Sequence, residues 1–150
     1  MRNEAMERLD MLVGSWKATM RNAWFLEPAD QEVPGTATVD WLYDAFLVFR
    51  WTMLSDVGNA ASEMVLVLGR SDARDAYSAL YHDERGVCRE FAMTFDGSHW
   101  NLNREDPDMF QRFIADVGID RIAGRWEASE DQGSTWRKDF DLVFERLQEG

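Results

Sequence analysis

The sequence predicts an all-β fold, one antiparallel sheet of about ten strands rolled into a closed meander barrel with a short N-terminal helix. Three observations carry this expectation. From Gly14-Ser15-Trp16 onward, strand-like runs with a period of two recur at even spacing, and no stretch after Leu12 sustains a helical period. The links between runs are mostly short, which forces antiparallel neighbours, because a parallel pair needs a crossover of about a dozen residues or more. Successive neighbours would also leave two bare edges unless the sheet closes on itself. A two-sheet sandwich with Greek-key crossings is the alternative, and the short loops count against it.

Taken in order, Asn3 to Leu12 has helical spacing, with Met6 and Leu9 on one side and Glu4, Glu7, Arg8 and Asp10 on the other. Asn3 is placed to cap it. Such a segment is too short to stand alone and is expected to dock across one end of the barrel. Trp16, Ala18 and Met20 then alternate with polar neighbours. A loop over Glu27–Gly35 follows, whose two prolines argue against a central strand. Further strands are expected over Thr36–Tyr43, Phe46–Ser55, Glu63–Gly69, Ala76–His82, Val87–Phe95, His99–Arg104, Met109–Val117, Arg121–Ser129 and Thr135–Arg146. Asp56–Ala61 reads as a loop, and Asp96-Gly97-Ser98 as a hairpin turn.

A chain of 150 residues is read as one domain spanning 1–150, with a real core. Its 7 Trp, 9 Phe and 3 Tyr suit a pleated, half-buried surface. The formal charge of −12 repels polyanions, so neither nucleic acid nor an anionic membrane is an expected partner. Cys88 is the only cysteine, which rules out an internal disulfide. The start lacks the apolar core of a signal peptide and no apolar run is long enough to span a bilayer. A reducing cytoplasm is the expected compartment.

Leu12-Val13-Gly14-Ser15-Trp16, Tyr81 through Val87, Gln111-Arg112-Phe113, Gly124-Arg125-Trp126-Glu127 and Trp136 through Phe140 together make the chain resemble the lipocalin-like barrels of the calycin superfamily, and most closely a bacterial group of unknown function. The resemblance implies that Trp16 of the first strand packs at the closed end of the barrel beneath an arginine of the last, here Arg146. A guanidinium there stacks on the indole and donates to nearby carbonyls. The threonine-aspartate-tyrosine motif and the disulfides of secreted lipocalins are missing. In the nitrobindin group of such barrels a histidine close to the C-terminus holds haem, yet no histidine follows His99 here. No cofactor is expected.

The candidate chemistry is sparse. His82 and His99 are explained as rim residues, and Cys88 as a small filler. Arginines ride on apolar faces in several places: Arg89 with Val87, Phe91, Met93 and Phe95; Arg112 with Phe110 and Ile114; Arg104 with Trp100 and Leu102; Arg50 with Phe46 and Val48. In the Phe46–Ser55 run the opposite face, Leu47, Phe49, Trp51 and Met53, is more apolar still. One reading gives these arginines an acidic ligand to fork. The other pairs them with Glu127, Asp139 and Asp141, since buried charges need partners. No catalytic motif fixes a reaction.

The expected function is therefore non-covalent binding of a small, mainly apolar ligand inside the barrel. Should that ligand be acidic, Arg50, Arg89 and Arg112 are the expected contacts, with Tyr81, Phe91 and Trp126 lining the wall. Two rivals stand beside it. One is an isomerase- or cyclase-like enzyme for a hydrophobic substrate, built on groups such as Tyr81 with Glu127 or Asp139. The other is a structural, self-associating barrel, a homodimer in which Trp24, Phe25 and Leu26 make the contact, unless these residues cover the barrel mouth as part of a lid.

Overall fold

The computed structural model describes residues 2–54 and 62–148. The expected Asp56–Ala61 loop lies outside the described residues. Ten strands form one closed ring: β1 (Gly14–Arg21), β2 (Val33–Leu42), β3 (Phe46–Met53), β4 (Glu63–Ser71), β5 (Ala76–Asp83), β6 (Cys88–Phe95), β7 (His99–Glu105), β8 (Phe110–Val117), β9 (Arg121–Ser129) and β10 (Arg137–Arg146). Each strand pairs antiparallel with its sequence neighbours, and β1 closes the ring against β10 from Trp16↔Arg146 to Arg21↔Asp141. The sheet therefore has no free edge.

Burial follows the period of two. Trp16, Ala18 and Met20 of β1 point inward, as do Leu47, Phe49, Trp51 and Met53 of β3. Two expectations are corrected by the strand ends. β2 begins at Val33 and so includes Pro34 and Gly35, which the sequence reading places in the loop. Proline is tolerated at the start of a strand, and the Pro34 carbonyl still accepts from Leu54 N at 2.9 Å. The second is in β10, which begins at Arg137 rather than Thr135 and whose register slips between Lys138 and Phe140 at a β-bulge.

One end of the ring is sealed. A single turn of helix, α1 (Glu4–Glu7), runs into a 3₁₀ turn over Arg8–Leu12 and buries Met6, Leu9 and Leu12. Asn3 caps it, its Oδ1 accepting from Met6 N at 2.8 Å. So short a helix holds only because it is tied down. The Tyr77 hydroxyl donates to Ala5 O at 2.5 Å, and Trp41 Nε1 to Asp10 Oδ1 at 2.8 Å. Arg146 joins three segments at this end. Its guanidinium donates to Met11 O at 2.6 Å, Val13 O at 2.7 Å and Ile119 O at 2.8 Å, and lies 4.2 Å from the centre of the Trp16 ring. No helix among the described residues is long and apolar enough to cross a membrane.

Gly14 makes room for this arrangement. Its φ of +143° suits only glycine, and an added Cβ would run into the Arg146 guanidinium. Replacing Arg146 by Met should strand the three carbonyls and cost about 2–4 kcal/mol. Gly14→Ala should cost about 1–3 kcal/mol through backbone strain and displacement of the same guanidinium. Because both changes break one contact, the double variant should lose less than the two single losses combined. Thermal unfolding of the three variants checks this, and strict additivity would refute the shared contact.

Candidate functional site

Strands β1, β3, β5, β7 and β9 all end on the side opposite the helix, and there the barrel is hollow. The cavity measures about 560 Å³, within the usual range for small-molecule sites. Its wall is largely rings and thioethers: Trp51, Phe91, Trp126 and Phe140, with Met20, Met53, Met64 and Met109. The floor is a chain of rings in contact. Phe49 meets Trp100 at 5.6 Å and Phe144 at 5.1 Å, Trp100 meets Phe113 at 5.4 Å, and Phe113 meets Trp126 at 5.1 Å between centroids. A void of only about 10 Å³ lies among these rings.

The polar groups on the cavity wall fall into three sets. The first is Arg89 on β6, whose Nη1 donates to Gln111 Oε1 at 2.8 Å. Among the described residues no carboxylate lies within ion-pairing distance of it. Burial, with the positive charge of Arg104 nearby, lowers its pKa, although an arginine stays protonated. The second set is Tyr81 with Asp83 and Arg85. The Tyr81 hydroxyl donates to Asp83 Oδ2 at 2.8 Å, and Arg85 donates to the same oxygen from Nη2 at 2.7 Å and Nε at 3.3 Å. Burial, reinforced by the Asp83 carboxylate, raises the Tyr81 pKa and keeps the hydroxyl protonated. Burial alone would raise Asp83 too, but the hydrogen bonds from Arg85 and Tyr81 outweigh it and hold the carboxyl at about 2.

The third set is Asp139, the extra residue of the bulge in β10. Its Oδ1 accepts from Trp24 Nε1 at 3.0 Å and faces Arg137 Nε at 3.8 Å. Burial raises its pKa, against the opposing pull of the Trp24 N–H and Arg137. Trp24 itself is mostly exposed, while Phe25 packs edge-on against it and against Phe140 at the mouth.

Of the residues singled out from sequence, Tyr81, Arg89, Phe91 and Trp126 line this one cavity. Arg50 and Arg112 do not. Arg50 is exposed on the outer face of β3, because the more apolar set Phe49, Trp51 and Met53 took the inside. On β8 it is Phe113 and Ala115 that turn inward. Arg112 points out, bonds Glu127 Oε1 through Nε at 2.6 Å and covers the Trp136 ring at 3.9 Å. His82, His99 and Cys88 are also exposed. Sequence reasoning does not single out the four methionines, Trp51, Gln111 or Arg85 as wall residues. The alternation of β3 and β4 carries a signal for Trp51, Met53 and Met64, whereas Arg85 lies in a turn and has none.

The low Asp83 pKa carries a stability consequence. A carboxyl held at about 2, against an ordinary 3.8, stabilises the folded state above the ordinary value and loses that contribution as pH falls toward 2. Asp83→Asn should therefore lower the unfolding temperature at pH 7, and the gap from the wild type should narrow between about pH 4 and 2. Melting curves across that range check it, and a gap that widens on acidification would contradict the assignment.

No protein-family model matches the chain, and no curated protein matches it. Among solved structures it is similar to Rv2717c from M. tuberculosis, with a TM-score of 0.67 at 12% identity, covering 99% of this chain and 100% of that one. A de novo designed fluorescence-activating β-barrel matches over 90% of this chain and 93% of its own, at a TM-score of 0.45 and 15% identity. At such identities the likeness to Rv2717c is one of fold.

Proposed function

We propose that this chain is a lipocalin-like binding protein for a small, mainly apolar molecule that carries an acidic group. The apolar body would lie against Trp51, Phe91, Trp126 and the methionines, and Arg89 would hold the acid. One observation supports this above the others. Arg89 stands on the wall of an apolar cavity with only the neutral Gln111 amide as its hydrogen-bond partner among the described residues. A guanidinium so placed keeps its full charge and further donors for an incoming carboxylate, which it can fork. The Tyr81 hydroxyl is protonated and donates to Asp83, so it does not supply the base that the enzymatic reading would ask of it.

The test is calorimetric titration with 2-naphthoic acid and with its uncharged methyl ester. Wild-type protein should bind the acid, and Arg89→Leu should weaken that binding by about 10- to 100-fold, the worth of a charge-assisted hydrogen bond in a dry site. The ester should lose far less. Equal losses for acid and ester, or no binding of the acid at all, would sink the proposal.

A further inference from the structure

We infer that the cavity has a second polar subsite at Asp139, facing Arg89 across the mouth, so that it selects molecules with an acidic group at one end and a hydrogen-bond donor at the other. This deepens the reading of the cavity as an acid-binding site and rests on it.

The β-bulge is what puts Asp139 there. Lys138 pairs with Glu127 and Phe140 with Trp126, which leaves Asp139 unpaired between them. Under regular alternation Leu142 and Phe144 point inward, and an odd-numbered residue such as Asp139 would point outward. The extra residue re-aims the backbone, and Asp139 and Phe140 both reach the cavity. Its side chain is only 16% exposed. Trp24 Nε1 and Arg137 both address Oδ1, and Oδ2 has no hydrogen-bond partner among the described residues. That oxygen is accessible and its residue lines the cavity, so a ligand donor entering there can bond it.

The placement relative to Arg89 sets the ligand class. β6 and β10 lie four positions apart in the ring of ten, so they nearly face one another. Arg89 and Asp139 both sit near the beginnings of these strands, at the hollow end. A molecule touching both must carry its donor at the far end from its acid, across a rigid apolar body. Hydroxyaryl carboxylic acids have that form.

The experiment compares two pairs of probes of different length: 4-hydroxybenzoic acid against benzoic acid, and 6-hydroxy-2-naphthoic acid against 2-naphthoic acid. The readout is the affinity ratio within each pair, which a general loosening of the mouth does not move. In wild-type protein the hydroxyl should raise affinity about tenfold in at least one pair, as a hydrogen bond to a charged group does. Asp139→Leu should bring that ratio to about one, and Arg89→Leu should weaken both acids while keeping it, since the two contacts are separate. Trp24→Phe separates direct contact from anchoring. It keeps a ring but removes the N–H, so the ratio persists if the ligand touches Asp139 and collapses if Asp139 only holds Trp24. Ratios near one in both wild-type pairs, or collapse in Trp24→Phe, would overturn the subsite. If the parent acids still bind through Arg89 in that case, the acid-binding reading survives; if no acid binds, both fall.

Discussion

The hydrogen-bonded seam between β1 and β10 is the constraint on which everything else rests. It joins the first and last strands of the sheet, from Trp16↔Arg146 at the helix end to Arg21↔Asp141 at the hollow end. Without it the sheet would have two edges and no inside. With it, the ring has ten strands, and a ring of more than about eight is wider than its own side chains readily fill. The chain resolves that excess unevenly. Large rings (Trp16, Phe49, Trp100, Phe113 and Phe144) pack one half, and the short helix closes it with Met6, Leu9 and Leu12. The other half holds the cavity.

This division also separates the roles of the arginines. At the sealed end Arg146 is consumed by three backbone carbonyls and an indole face. On the outer wall Arg112 is consumed by Glu127 and Trp136. The first is spent on closing the helix end, and the second stands outside the cavity with its charge answered by Glu127. The hollow end therefore depends on its own cations, and the net charge of −12 makes them more conspicuous. An acid approaching this protein meets long-range repulsion, and the local field of Arg89 on the apolar wall offsets it, since Arg85 is paired with Asp83.

The ring was legible in the sequence because it follows from two local quantities, a period of two and short connections. The inner face of a strand was harder to read wherever both faces were apolar. On β3, Phe46 and Val48 competed with Leu47, Phe49, Trp51 and Met53, and the larger set won the inside, carrying Arg50 to the surface. On β8 the contest between Phe110, Arg112, Ile114 and Gln111, Phe113, Ala115 was decided by partners on neighbouring strands. Glu127 stands opposite Arg112 on the outer face, and Trp126 stands opposite Phe113 on the inner one. Such cross-strand information is absent from any single run of residues. Asp139 was hidden for a different reason, since a bulge breaks the period that sequence reading relies on.

The contrast between Arg89 and Arg104 shows why the mouth is more than a gap in the packing. The two guanidiniums are close enough for Arg104 to lower the Arg89 pKa, on top of the larger effect of burial. Arg104 is almost fully buried and answered by two carboxylates, Asp106 at 2.6 Å and Asp108 at 2.9 Å, with Met109 O accepting a further bond. It is thus neutralised in place, as a buried charge must be to avoid a large desolvation cost. Arg89, on the neighbouring strand, receives an amide instead. Gln111 orients it without cancelling its charge. One arginine is thus flanked by two carboxylates, while its neighbour on the next strand has none within ion-pairing distance among the described residues and lies on the wall of the apolar cavity. That unequal treatment gives the hollow a polarity, with a fixed positive pole on β6 and a fixed acceptor on the bulge of β10.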